Sequence, residues 1–157
     1  MIHLVKIVSG GQTGVDRGAL DFALDYGYPS GGYCPKNRKS ENGKIPEKYP
    51  LIELESKEYI DRTKKNVITT DGTLIIKDNH SLGKGTMNTI GYCKKYKRPC
   101  FIANTIMQHE NRSSFLLWLK TNKIQVLNVA GNRESKSPGI ANKTYTLLNY
   151  FFQPDCT

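Results

Sequence analysis

Short apolar runs alternate along this chain with segments whose apolar residues recur at helical spacing. Residues 3–8 (His-Leu-Val-Lys-Ile-Val) read as a buried strand. Over residues 14–26, Val15, Ala19, Phe22, Ala23 and Tyr26 fall on one helical face. Leu51-Ile52 predicts a short edge strand, and residues 57–68 a helix. Asp71-Gly72 is a turn signal ahead of a second buried strand, Thr73-Leu74-Ile75-Ile76. A helix over 86–97, a strand over 99–103, a strongly apolar helix over 112–121 and a strand over 124–130 follow. The last element is a helix over 140–152 with the stripe Ile140, Leu147, Leu148 and Phe151. Strands alternating with helices predict right-handed βαβ units. The expected fold is α/β, a three-layer Rossmann-like sandwich around a mostly parallel sheet of about five strands. Ligands of such folds bind beyond the carboxyl ends of the strands, where the strand order reverses.

The length of 157 residues is enough for one domain, 1–157, that buries a real core without disulfides. With 38% hydrophobic and 24% charged residues, the chain is neither disordered nor collagen-like. No apolar run approaches the roughly 20 residues that span a bilayer. Met1 to Ser9 shows no cleavage-type signal, so a soluble cytoplasmic protein is expected. Cys34, Cys93, Cys100 and Cys156 form no Cys-x-x-Cys pair, and His3, His80 and His109 stand at no zinc-finger spacing from them. Reduced thiols and no metal site are therefore expected. The net charge of +9 calls for an anionic partner, either nucleic acid or a small phosphorylated molecule.

Three strand ends carry anion chemistry. The first strand runs into Ser9-Gly10-Gly11-Gln12-Thr13-Gly14-Val15-Asp16-Arg17. Its glycines let backbone N–H groups approach a ligand at the start of a helix. Asp16 suits the first helical turn through the dipole alone. The second strand runs into Asn79-His80-Ser81-Leu82-Gly83-Lys84-Gly85-Thr86, where Gly85, the Thr86 hydroxyl and the Lys84 ammonium offer donors to an oxyanion. Neither turn has the spacing of a dinucleotide fingerprint or a P-loop. The third loop, Ala130-Gly131-Asn132-Arg133-Glu134-Ser135-Lys136-Ser137-Pro138-Gly139, again combines glycine, hydroxyl and cation.

Two further segments contribute. Residues 34–50 form an irregular stretch long enough to be functional, and Lys36, Arg38 and Lys39 make it a candidate lid over an anion. On the 57–68 helix, Tyr59, Arg62, Thr63 and Asn66 share one face, with Arg62 suited to bidentate phosphate contact. The candidate ligand-binding set is therefore Gly10, Gly11, Gln12, Thr13, Gly14, Asp16, Arg17, Lys36, Arg38, Arg62, Asn66, Lys84, Gly85, Thr86, Arg133, Glu134 and Ser135. No catalytic residue is assigned.

Several blocks together resemble the putative molybdenum carrier family. They are Ser9 to Leu20, Cys34 to Arg38 with Gly43 to Pro46, Tyr59 to Val67, Asp71 to Ile75, and Asn128 to Ser135 with Pro138-Gly139-Ile140. That family is similar in fold to the Lonely Guy, or lysine decarboxylase-like, Rossmann proteins. The resemblance implies a homo-oligomer, dimer or tetramer, that binds molybdenum cofactor (molybdopterin), a pterin with a phosphate tail. It supplies no reaction. The family usually has glycine where this chain has Lys84 and proline where it has Asn132.

Two alternatives have sequence tests. Enzymes of the Lonely Guy type, nucleotide phosphoribohydrolases, carry a glutamate three residues after the threonine of their Gly-Thr turn. That position is Thr89 here, which leaves Asp16 and Glu134 as the substitute carboxylates. A nucleic-acid partner would use Lys94-Lys95-Tyr96-Lys97-Arg98, but cations there equally suit a helix C-terminus, and nucleic acid is not the expected partner.

Overall fold

The computed structural model describes residues 3–154, so Cys156, expected to be a reduced thiol, lies outside the described residues. In chain order the elements are β1 (Lys6–Val8), α1 (Val15–Asp25), β2 (Ser30–Gly31), β3 (Tyr33–Cys34), a 3₁₀ turn (Lys36–Arg38), β4 (Lys39–Ser40) and β5 (Gly43–Lys44). They continue with β6 (Ile52–Glu53), α2 (Tyr59–Ile68), β7 (Gly72–Lys77), α3 (Lys84–Lys95), β8 (Cys100–Asn104), α4 (His109–Thr121), β9 (Val126–Gly131) and α5 (Ile140–Phe152). The main sheet has five strands in the order β2-β1-β9-β7-β8, and every pairing is parallel. This is the expected Rossmann-like α/β sandwich.

The two faces of the sheet differ in chemistry. Successive side chains of a strand point to opposite faces. Ile7, Leu74, Ile76, Leu127 and Val129 enter one large core with residues of α1, α4 and α5. Its aromatic centre stacks Phe115 on Phe151, ring centroids 4.7 Å apart. The alternate positions are more polar. Asn128 donates through Nδ2 to the Thr73 hydroxyl at 3.1 Å, and both are buried. Asn66 of α2 and Thr89 of α3 line a cavity of about 10 Å³ with Asn128 on that face.

One predicted strand changes role. Ile52–Glu53 pairs with β3 in a separate two-stranded sheet, not with the main sheet. The main-sheet edge is instead β2, two residues without apolar periodicity, held by Ile7 N–H to Pro29 O at 2.9 Å and Ser9 N–H to Gly31 O at 3.0 Å. Backbone pairing to a neighbour decides such a short strand, and no side-chain pattern reports it. The 34–50 stretch is also built rather than irregular. β4 and β5 form a hairpin, and Ile45 and Tyr49 join Leu20 and Cys34 in a second small core.

Strand order reverses around β1 and β9. β2 lies outside β1, whereas β7 and β8 lie beyond β9. The loops leaving β1, β7 and β9 are thereby brought to one edge.

Candidate functional site

A cleft of about 410 Å³ opens at that edge. Its walls are Gln12 and Asp16 after β1, Gly83 to Thr86 with Thr89 after β7, Ala130 to Arg133 with Ser135 and Lys136 after β9, and Tyr59, Arg62 and Thr63 of α2. Four of these side chains are cationic, and Asp16 is the single carboxylate among them. The volume suits a small organic ligand.

The two glycine-bearing turns have different uses. After β1, Gln12 N–H donates to Asp16 Oδ2 at 3.1 Å, Thr13 N–H to Gln12 Oε1 at 3.0 Å, and Val15 N–H to Asn132 O at 3.2 Å. These amides hold the turn itself. Gly14, with φ of 82°, is where a side chain would run into the Asn132 carbonyl. The start of α3 is arranged otherwise. Gly83 is its N-cap and supplies no side-chain cap, and the Gly83 carbonyl already accepts from Met87 N–H at 3.0 Å. The first amides of a helix have no intrahelical acceptor, so the α3 end, with Lys84, is the anion-seeking edge of the cleft.

Asn132 ties the loops together. Its Oδ1 accepts from Gly83 N–H at 2.8 Å and from the Thr86 hydroxyl at 3.3 Å. Its Nδ2 donates to Ser81 O and to Ser137 Oγ, both at 2.9 Å. All four partners of one side chain are thus filled.

At the floor of the cleft the partly buried Arg62 pairs with the buried Asp16, Nη1 to Oδ2 at 3.4 Å. Burial pushes the Asp16 carboxyl above its ordinary range, against the opposing pull of the Arg62 guanidinium. Arg62 passes directly over Gly10, where a methyl group would overlap its guanidinium. Arg62 Nε is buried without a hydrogen-bond partner. Above it, the Tyr59 ring is flanked by Lys39 Nζ at 4.8 Å and by the guanidinium carbons of Arg62 and Arg133 at 5.7 and 5.8 Å.

Comparison with known proteins fits this architecture. Residues 7–152 match the family model described as cpYpsA, the circularly permutated YpsA SLOG family. The chain belongs to that family. Among solved structures it is similar to a "Putative molybdenum carrier protein" from Syntrophus aciditrophicus SB. The two share 42% identity over 96% of each chain, with a TM-score of 0.88. No curated protein matches the chain.

In this SLOG-family chain the residues read from the sequence divide into three groups. Gln12, Asp16, Arg62, Lys84, Gly85, Thr86, Arg133 and Ser135 line the cleft. Gly10 and Asn66 line the small cavity below it. Asn66 also holds β3 to α2, accepting from Tyr33 N–H at 2.8 Å and donating to Tyr33 O at 3.0 Å.

The others lie elsewhere, committed for the most part to the protein itself. The Arg38 side chain is buried and donates to the carbonyls of Ile45, Pro46 and Tyr49 at 2.8–3.0 Å. It staples its own loop instead of covering a ligand. Arg17 reaches Gly11 O, Ser40 Oγ and Asn42 Oδ1. Lys36 is exposed and outside the cleft lining. Gly11, with φ of 78°, abuts Ile45 and Leu51. The Glu134 carboxylate accepts from Gly139 N–H at 2.7 Å and Ala141 N–H at 3.1 Å, capping the start of α5.

The 34–50 loop reaches the site edge through Glu41. Its carboxylate accepts from the hydroxyls of Thr13 and Ser135 and from Ser135 N–H, with Arg133 Nη1 at 3.7 Å. Thr13 in turn accepts from Glu134 N–H at 3.1 Å. These bonds hold Glu41 below the ordinary carboxylate range, although burial alone would raise it. Glu41, Asn132 and Lys136 lie outside the set read from the sequence: Asn132 and Lys136 belong to a loop whose polarity the sequence shows, whereas Glu41 carries no local signal.

Among the described residues no group of three or more His, Cys, Asp or Glu could hold a metal ion. No described helix is long and apolar enough to cross a membrane.

Proposed function

We propose that this chain is a binding protein for a small phosphorylated cofactor, with molybdenum cofactor the leading candidate. One observation carries the reading: the uncapped start of α3 lines a cleft with four cationic side chains and one carboxylate. Such an edge suits a phosphate through backbone amides and Lys84. The donor set fits the candidate. Lys84, Arg133 and Lys136 would hold a phosphate tail, and the buried unpartnered Nε of Arg62 is a donor in want of an acceptor. Tyr59 would offer an aromatic face to a pterin ring. The name carried by the Syntrophus aciditrophicus relative supports the same ligand class. Bound there, the cofactor would carry its metal on its own sulfur ligands, and the chain would bind, orient and shield it.

Hydrolysis of a nucleotide by a Lonely Guy-type reaction is the weaker reading. Asp16 is paired with Arg62, Glu41 is fully bonded, and Glu134 caps α5, so each nearby carboxylate has a structural commitment. Thr89 stands where that chemistry needs an acid, and its hydroxyl donates to Gly85 O at 3.0 Å. The free thiols Cys34, Cys93 and Cys100 fit a reducing, cytoplasmic setting, and a homo-oligomer is part of the same proposal.

The test is anaerobic calorimetric titration with isolated molybdenum cofactor. Wild type is expected to bind, and Arg62→Ala and Lys84→Ala to bind at least about tenfold more weakly, since a charge-assisted bond is worth roughly 1.5–3 kcal/mol. Absence of binding by the wild type would overturn the proposal.

A further inference from the structure

A chain of hydrogen bonds leaves the cleft and ends at the exposed His80. It begins at Gly83 N–H and the Thr86 hydroxyl, both donating to Asn132 Oδ1. It continues from Asn132 Nδ2 to Ser137 Oγ at 2.9 Å, and from the Ser137 hydroxyl to Asp78 Oδ1 at 3.1 Å. It ends at His80, whose backbone N–H and ring Nδ1 stand 2.9 and 3.0 Å from that same Oδ1. Asn132, Ser137 and Asp78 are all buried, and Ser137 is completely so.

We propose that Asp78, Ser137 and Asn132 act as a positioning chain that fixes the anion-seeking end of α3, with His80 anchoring its outer end. This rests on the cofactor-binding reading and assigns side chains behind the cleft wall to that site. Of the three, only Asn132 lines the cleft.

Three features favour this over ordinary loop packing. First, α3 has no side-chain cap of its own, so the orientation of its first turn depends on what holds Gly83. The holder is Asn132, forty-nine residues away, in the loop after the neighbouring strand. Second, the Asn132 amide has a fixed assignment. Its oxygen faces two donors, and its nitrogen faces Ser81 O and Ser137 Oγ. Ser137 can accept from Asn132 only while its own proton goes elsewhere, and Asp78 is where it goes. Asp78 therefore takes the Ser137 proton and leaves the Ser137 oxygen free to accept from Asn132. Third, Asp78 stays ionised. Burial pushes it up, but the bonds from the His80 backbone and ring and from Ser137 outweigh burial and hold it below its ordinary range. Lys143 of α5 adds a cation 3.7 Å from Oδ2. A carboxylate that does not titrate near neutrality remains an acceptor for the Ser137 hydroxyl.

The chemistry demanded of Asp78 is an oxygen acceptor at the Oδ1 position. Asparagine can supply it, and alanine cannot. The experiment compares wild type, Ser137→Ala, Asp78→Ala and Asp78→Asn by two readouts. One is hydrogen exchange at the Gly83 amide. The other is affinity for isolated molybdenum cofactor and, separately, for inorganic phosphate. Ser137→Ala and Asp78→Ala are expected to exchange the Gly83 amide about tenfold faster and to bind about tenfold more weakly. Asp78→Asn is expected to restore both within about threefold. If Asp78→Ala fails to fold, Ser137→Ala against Asp78→Asn carries the comparison.

Unchanged Gly83 exchange and unchanged affinity in Ser137→Ala would overturn the proposal. Equal losses in Asp78→Asn and Ser137→Ala would overturn the acceptor role of Asp78. A wild type that binds neither probe would refute the cofactor reading alone, because Gly83 exchange still reports whether the chain holds α3.

Discussion

Asp16 shows how much one residue's meaning depends on its neighbours. Near the start of a helix an aspartate is favourable through the dipole. Here it is also buried under the cleft, bonded to Gln12 N–H and paired with Arg62 across a glycine that leaves room for the guanidinium. Its pKa is raised in the folded protein, chiefly by burial. The folded state therefore holds this proton more tightly than the unfolded chain. The stability that Asp16 contributes is full below its unfolded pKa and is lost as pH rises through the folded value. Asparagine at this position does not titrate. The stability of Asp16→Asn relative to wild type should therefore shift in favour of the variant as pH rises. Urea unfolding of both proteins at pH 4.5 and 7.5 checks this; a difference independent of pH, or one that moves the other way, would contradict it. Arg38 makes the complementary point. A cation in a candidate lid proves to be the internal clamp of that lid, on three backbone carbonyls.

At the scale of elements, α1 and α3 both start at strand ends rich in glycine, yet they are used differently. The amides of Gln12, Thr13 and Val15 close the α1 turn on itself and on Asn132. The α3 start is held from behind through Gly83 and faces the cleft. Gly85, in its first turn, has open space where a Cβ would sit. Gly85→Ala should therefore be tolerated and should raise stability by about 0.5 kcal/mol, because glycine in a helix carries excess unfolded-state entropy. The same methyl projects at a cleft-lining position and should weaken cofactor binding. Thermal melting and calorimetry on one preparation test the two halves separately; a variant that loses stability, or binds as well as wild type, would count against this account of α3. The strand and helix pattern was largely legible: the five predicted helices appear with ends shifted by up to three residues. β2 was not legible, because two residues paired only through their backbone carry no periodic signal.

For the whole molecule, the relevant quantity is where the +9 charge is placed. Arg62, Lys84, Arg133 and Lys136 surround the cleft, whereas Arg38 serves the interior and Lys44 and Lys48 pair with Glu47 and Asp21. A cleft of this polarity should bind its anion less tightly as salt screens it, over a Debye length that falls from about 14 Å at 50 mM to about 5 Å at 400 mM. Cofactor affinity measured across that range should fall several-fold. A salt-independent affinity would place the binding energy in the apolar and aromatic contacts instead.

The sequence by itself determined the alternation of elements, the parallel sheet and the three loops that meet at its carboxyl edge. Those follow from local periodicity and from chain handedness, which act over a few residues at a time. Eight of the residues read from the sequence line the cleft, seven because they stand at strand ends that the parallel sheet brings together and Arg62 because its face of α2 is turned to them. Tertiary structure decided which polar group each side chain faces. Whether Arg38 meets a ligand or a carbonyl, whether Glu134 is a free acid or a helix cap, and that Asn132 stands between Gly83 and the Ser137–Asp78 pair depend on partners between 5 and 59 residues away. Hydrogen bonds are short-ranged and directional, so their partners are chosen only when the chain has packed.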